Sequence, residues 1–519
     1  MTGPEQVPED RRSFASRTPL NQNPDAVQYR RGFVTKHQVT GWRFVMRRIA
    51  SGVALHDTRM LVDPLRTQSR AVLTGALILV TGLIGCFLFS LFRPGGTAGN
   101  DAILADRSTS ALYVRVGEQV HPVLNLTSAR LIAGKPDNPS TVKTSEIDKF
   151  PRGNLLGIPG APERMVQNTS ADAEWTVCDS NSGQSAGVTV IGATLASEGE
   201  RAVPLGADRA VLVHHAGGPT PGDWLVWDGK RSPIDLANRA VTDALGFGAE
   251  IPAPRPIAAG LFNAIPEAPL LAAPVIPGAG QPAQFPLSEP APVGAVVSAA
   301  EADNTIRYYA VLSDGLQPIS PVLASILRNT DSFGLPQPPR LGADEVARTP
   351  VSRGIDTAAY PSGPLELVSA SAAPVTCAQW VKPAGATESA LSILSGATLP
   401  LPEGLHTVGL VGAGANGAAT RVALTPGTGY LVQTVGAEPG SPTAGSLFWV
   451  SDTGVRYGIE TAGDDDVVAA LGLTSPAVPI PWSILTQFAA GPTLSRGDAL
   501  IAHDALSPNV NAARLEATR

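Results

Sequence analysis

"GDWLVWDGKRSPIDL", residues 222–236, sets an alternating apolar run against a Gly-Lys pair with Ser232 close behind. It reads either as a fragment of a phosphate-binding loop or as a β-hairpin turning at Asp228-Gly229. A phosphate loop needs glycine, four residues, then Gly-Lys-Ser/Thr. Here Arg231 follows Lys230, and Trp224 stands where the first glycine belongs. The other Gly-Lys pair, Gly134-Lys135, runs into Pro136. Neither fits a nucleotide. The hairpin reading makes Gly229 a turn residue and Lys230 an exposed side chain, with Trp224 and Trp227 anchoring a small core.

Three other stretches repeat the pattern. They are "ALYVRVGEQVHPV" from 111, "RYYAVLSDGLQPI" from 307 and "SLFWVSDTGVRYGI" from 446. Each opens with an aromatic or apolar alternating run, turns at Gly117, Gly315 or Gly454, and reaches Pro or Gly followed by Val or Ile. A helix-like stretch comes next, such as "IDLANRAVTDALGF" or "ISPVLASILRNTDSFGL". A Pro-bearing segment such as "FNAIPEAP" then closes the unit. Hairpin, helix and extended return make a module too small to bury its own surface, so the units should pack on something central. The segments between copies one and two and between copies three and four each carry a Cys near a Trp, in "WTVCDS" and "VTCAQW", followed by alternating apolar runs. This predicts a tandem duplication: two inserts forming a central sheet, two units at each end, and an elongated α+β body.

Gly (53) and Pro (47) supply about a fifth of the 519 residues, as a turn-rich architecture requires. The charge is uneven. Residues 1–70 hold 12 Arg/Lys against 6 Asp/Glu, whereas residues 94–519 hold 25 against 39. An acidic bulk argues against nucleic acid as a partner. Between the two lies "AVLTGALILVTGLIGCFLFSLF", residues 71–92, with no charge in 22 residues. As a helix it spans about 33 Å, enough for a bilayer core of roughly 30 Å. The arginine excess before it predicts a cytosolic N-terminus, with residues 94–519 outside. A charged leader this long does not suit a cleaved signal peptide.

Outside the membrane only Cys178 and Cys377 occur, where disulfides persist, so they are expected to pair. The alternative is two free buried thiols. On the inner side, four prolines within residues 1–28 predict an extended arm. Trp42, Val45, Met46, Ile49 and Val53 then recur at spacings of three and four, with Arg43 and Arg47 on another face. This amphipathic helix is a candidate docking surface, Trp42, Arg43, Val45, Met46, Arg47 and Ile49, for a partner or the lipid bilayer.

No constellation for catalysis, cofactor or metal emerges. "GAGANG", residues 412–417, lacks the helix that a dinucleotide fingerprint requires. His214 and His215 point to opposite faces of a strand. Asp464, Asp465 and Asp466 sit where a helix begins and complement its dipole. "RGD", 496–498, is too short to be specific, and no serine lies in a nucleophile elbow.

The stretch "QYRRGFVTKHQVTGWRFVMRRIASGVALHD", one transmembrane helix and four units with two cysteines resemble EccB, the membrane component of mycobacterial type VII (ESX) secretion systems. The resemblance implies a scaffold subunit in the inner membrane that assembles with EccC, EccD and EccE and self-associates through its periplasmic domain. It also carries the alternative label of ATPase, which no phosphate loop here supports. The expected order is an extended arm (1–30), amphipathic helix and linker (31–70), transmembrane helix (71–92), unit one (94–162) and the first insert of the central domain (163–222). Then come unit two (223–280), a Pro-rich linker (281–305), unit three (306–366), the second insert of the central domain (367–444), unit four (445–494) and a C-terminal tail (495–519).

Overall fold

Asp228 and Gly229 both take left-handed backbone angles, φ 43° and 71°. Such a two-residue turn matches the twist of the strands it joins. It connects Gly222–Trp227 to Lys230–Pro233, antiparallel, with Trp227 opposite Lys230. The opening stretch is therefore a hairpin. The computed structural model describes residues 34–56, 64–92, 96–181, 186–217, 221–412, 418–436, 438–461 and 466–506. The arm expected at 1–30 lies outside the described residues, as do residues 413–417, Asp464 and Asp465. The chain divides into two units, Met1–Gly95 and Gly96–Arg519.

In the first unit, one helix covers Lys36–Leu55 and a second Pro64–Phe92. Thr35 caps the first: its hydroxyl accepts from the Gln38 backbone N–H while the Gln38 side chain accepts from that of Thr35, at 3.4 and 3.0 Å. The second helix begins earlier than the apolar run. Proline suits a first helical position, where its missing N–H has no partner to lose. Its most apolar window, Gln68–Phe89, has mean hydropathy 2.4 and is long and apolar enough to cross a membrane. Thr74 and Thr81 donate to the carbonyls of Arg70 and Leu77, so neither hydroxyl is left unsatisfied along that helix.

In the second unit the hairpin belongs to a larger repeat. Arg209–His215 runs antiparallel to Gly222–Trp227, and after the helix Arg239–Ala244 the short strand Arg255–Pro256 lies parallel to it. The order is third, second, first, fourth. Three further sheets contain the same order, with first strands Ile103–Asp106, Val296–Ala300 and Tyr430–Val435 and fourth strands Ser140–Val142, Arg340–Leu341 and Val478–Pro481. The Pro-bearing returns lie parallel on each third strand, as in Arg231 with Glu267, Val120 with Arg152, Leu316 with Val351 and Ile459 with Leu494. In every copy an aromatic residue sits directly across from the Pro or Gly that ends the motif: Tyr113–Pro122, Trp224–Pro233, Tyr309–Pro318 and Phe448–Gly458.

Three first strands fall where the sequence places other segments. Arg209–His215 and Tyr430–Val435 were expected in the central domain, and Val296–Ala300 in the Pro-rich linker. Their partners are hairpins already legible, but the pairing itself is a tertiary choice. The C-terminal stretch also differs. Arg496–Ala499 is a short helix and Ala502–His503 pairs with Leu155–Leu156, so residues 496–503 are built into the fold.

The two inserts form one seven-stranded sheet: Val408–Gly409, Arg421–Leu424, Gly187–Gly192, Ala173–Ser180, Val375–Lys382, Ala390–Gly396 and Val203–Pro204. The innermost strands, one from each insert, are antiparallel, with Cys178 opposite Cys377 and Trp175 opposite Trp380. Each insert hands a strand to the other's hairpin: Arg421–Leu424 pairs with Gly187–Gly192, and Val203–Pro204 with Ala390–Gly396.

Period-two alternation gives this sheet two different faces. Trp175, Val177, Ala378 and Trp380 share a core with Val211, Val213, Trp224 and Phe262 of unit two and with Tyr430, Val432, Ile480 and Phe488 of unit four. Cys178, Ile191, Cys377 and Leu394 face the other way, covered by Ala202, Leu399, Leu401 and Leu405 from the inserts themselves. Units one and four share a further core through Val114, Leu131, Trp449 and Leu471. Units two and three share another through Trp227, Leu245, Val322 and Ile326. Trp224 and Trp227, on one strand, thus anchor two different cores.

Candidate functional site

Where the sequence suggests chemistry, the side chains are structurally committed. His214 is on the exposed side of its strand, with Nδ1 2.7 Å from an Asp223 carboxylate oxygen. His215 is buried and stacks on Phe262 with centroids 3.9 Å apart. They do not converge. Asp466 caps the helix Val467–Leu471, accepting from the Ala469 N–H at 2.9 Å. The Arg-Gly-Asp run opens a four-residue helix capped by Ser495. Gly134 ends a helix in the left-handed region, φ 67°. Among the described residues no group of three or more His, Cys, Asp or Glu is placed to hold a metal ion.

Lys230 differs from the expectation of an exposed side chain. Its ammonium lies 4.0 Å from the centroid of the Trp227 ring and donates to the Ala358 carbonyl at 2.8 Å. It therefore ties the hairpin of unit two to the closing segment of unit three. Gly229 is fixed as firmly, because a Cβ there would lie 2.5 Å from the Leu391 carbonyl oxygen of the central sheet. Gly315, the equivalent turn residue of unit three, has no left-handed angle. It is required because the Pro350 carbonyl oxygen lies 2.1 Å from where a Cβ would be.

Two cavities can be compared with what a nucleotide needs. One, of about 200 Å³, is lined by Asp172, Glu174, Trp175, Thr425 and Tyr430. Its carboxylates would repel phosphates. The other, of about 280 Å³, has Arg307 on its wall, already paired with Glu301 at 2.5 Å. Both are smaller than the roughly 300–1,000 Å³ usual for ligand pockets, and neither gathers the cations or helix N-termini that hold a triphosphate.

The polar groups that matter most are ones the sequence did not single out. Asp179, at the end of an inner strand of the central sheet, accepts from the Ala258 N–H at 2.7 Å. Arg255 of unit two donates to the Ala373 carbonyl at 2.7 Å. Both are buried, and burial pushes each toward its neutral form, more than their mutual attraction restores. The Arg255 guanidinium is brought down to about 10, and the Asp179 carboxyl is raised. Arg231, half-buried, donates to the Phe262 and Ile265 carbonyls and lies 3.9 Å from the centroid of the Phe262 ring. His215 lies on the same ring, with its Nδ1 buried and unpartnered, and burial lowers its pKa below the usual 6.5. No local motif announces these groups, because each partner comes from a distant segment.

Cys178 and Cys377 are bonded, with S–S 2.08 Å, across 199 residues of sequence. Both are fully buried at the seam between the two inserts. Cys86, on the apolar helix, is exposed and free. The docking candidates all lie on the helix Lys36–Leu55, with Trp42, Val45, Met46 and Ile49 exposed.

Comparison with known proteins agrees with this architecture. Residues 31–508 match the family model described as Type VII secretion system ESX-1, transport TM domain B. A relative from Mycolicibacterium smegmatis, named ESX-3 secretion system ATPase EccB3, is 78% identical over 519 residues, all of both chains. A chain in the solved structure of the EccB3 dimer from the ESX-3 core complex is 75% identical with TM-score 0.69, covering 78% of this chain and all of that one. A chain in the structure of an intact ESX-5 inner membrane complex is 37% identical with TM-score 0.72, covering 94% of this chain and 99% of that one. With a helix apt to cross a membrane, four repeated sheets around a disulfide-bonded centre among the described residues, and a family match over nearly its whole length, this chain belongs to the EccB family of type VII secretion proteins.

Proposed function

We propose that the chain is a structural scaffold subunit of an inner-membrane type VII secretion complex. Identity of 78% over the full length supports the ESX-3 variety. The observation that carries the reading is the run of packed cores that links the four units to the central sheet. Such a body can hold the positions of its partners relative to one another.

The N-terminal residues lie in the cytosol and the region after the apolar helix in the periplasm. The arginine excess in residues 1–70 and the disulfide beyond the helix support that orientation. In this reading Trp42, Arg43, Val45, Met46, Arg47 and Ile49 dock at the cytosolic side, EccC, EccD and EccE are the membrane partners, and two copies associate through the periplasmic region. The dimer solved for the ESX-3 relative supports association of two copies.

Two experiments test this. The full chain in nanodiscs is assayed for ATP hydrolysis; activity abolished by one substitution in either cavity, such as Asp172→Ala, overturns the scaffold reading in favour of the ATPase name its relatives carry. Deletion of residues 36–55 is expected to reduce recovery of the assembled complex on native gels, and undiminished recovery would count against docking.

A further inference from the structure

The helix Lys36–Leu55 has no acidic residue in 20 positions. At helical spacing Val39, Trp42, Val45, Met46, Ile49 and Val53 share one side, and Lys36, Arg43, Arg47 and Arg48 lie on the rest of the circumference. Phe44 and Leu55 are the large apolar residues at positions outside the stripe. Most of the stripe is exposed: Trp42 is 65% exposed, Ile49 56% and Val53 74%. Apolar area left in water costs about 25 cal/mol per Å², so covering this side is favourable.

Three features point to its occupant. The charge around the stripe is of one sign, as an anionic lipid surface selects. The second helix begins at Pro64, with only residues 56–63 between the two helices, a reach of at most roughly 28 Å, and its apolar run follows within about two turns. Trp42 lies in the stripe, where an amphipathic ring suits the level of the headgroups.

We propose that this helix lies in the plane of the inner leaflet, its stripe at the acyl boundary and Lys36, Arg43, Arg47 and Arg48 on anionic phospholipid phosphates. It would hold the cytosolic end at a fixed height and heading before any protein partner arrives. The proposal rests on the docking reading above and names its ligand.

The test uses the full chain with Cys86→Ser and Met46→Cys, labelled with an environment-sensitive dye. Cys178 and Cys377 are bonded to each other and do not react. The chain is placed in discs of phosphatidylcholine alone or mixed with phosphatidylglycerol, and quenching by neutral acrylamide is measured. Expected is a blue-shifted, protected label only in the mixed discs, with docking weakened roughly fivefold per arginine in R43E, R47E and R48E. Equal exposure of the label in both discs overturns the proposal. If protection appears only when the other complex subunits are added, a protein covers the stripe: the lipid assignment falls and the docking reading stands. If lipid protects the label while deletion of residues 36–55 leaves complex recovery unchanged, the lipid assignment stands and docking to protein partners falls.

Discussion

The two faces of the central sheet are held by different means. The face bearing Trp175 and Trp380 is covered by units two and four, whose strands are far away in sequence. Trp175 donates its ring N–H to the Pro479 carbonyl at 3.0 Å and meets Tyr430 edge-on at 5.3 Å. The face bearing Cys178 and Cys377 is covered by excursions of the inserts themselves and sealed by a covalent bond. One face joins modules and depends on shape; the other joins the duplicated halves and depends on chemistry. The seam between the halves is thereby secured independently of how well the modules pack.

The largest expected effect is on the first face. Trp175→Ala leaves a cavity where three segments meet and should cost roughly 3–5 kcal/mol, read from chemical denaturation of the full chain in detergent. If the loss is below about 1 kcal/mol, the modules do not depend on this face and the contrast fails. On the other face, the chain-entropy model gives the long loop closed by the disulfide roughly 5 kcal/mol as an upper figure, and engineered cases commonly fall lower. Cys178→Ser with Cys377→Ser should therefore cost about 2–4 kcal/mol, and the wild type should show a comparable drop on reduction. A protein indifferent to reductant would show that packing alone holds the seam.

A smaller effect is expected where the hairpin of unit two touches the sheet. Gly229→Val combines a left-handed angle with a clash against the Leu391 carbonyl and should cost about 1–3 kcal/mol, whereas Gly117→Val, with open space around it, should cost less. Thermal melts of the two variants rank them. An equal loss at both positions would mean that backbone strain, not approach to the sheet, sets the cost.

The smallest effect depends on pH. His215 has its pKa lowered by burial, with Arg231 and His214 disfavouring its charge further and Glu267 facing Arg231. The unfolded chain therefore binds this proton more readily than the folded one. Stability is full above about pH 6.5 and falls as pH drops from there through the lower folded value. His215→Gln should flatten the melting temperature between pH 7 and pH 5 relative to wild type, and an unchanged slope would assign the acid sensitivity elsewhere.

Much of the fold was legible because its signals are local. The Asp228-Gly229 turn, its three counterparts and the helices behind them each lie within a short window. The seam was legible for a different reason: two cysteines beyond the apolar helix leave one pairing. The candidate site was less so. The amphipathic stripe from Val39 to Val53 is a periodicity anyone can count, whereas the Asp179–Arg255 pair and the stack of His215 and Arg231 on Phe262 join residues with no shared spacing.

The amino-acid order alone determined the membrane-spanning candidate, the four hairpins and the cysteine pair, because hydropathy, turn chemistry and cysteine count act within a segment or on composition. Only the tertiary structure decided that Arg209–His215, Val296–Ala300 and Tyr430–Val435 complete the units, and that units two and four cover the tryptophan face. It also decided that unit one meets four and unit two meets three. An unpaired strand reads the same whichever edge it will join. Its partner is chosen by the apolar surface that remains open once the local pieces have formed.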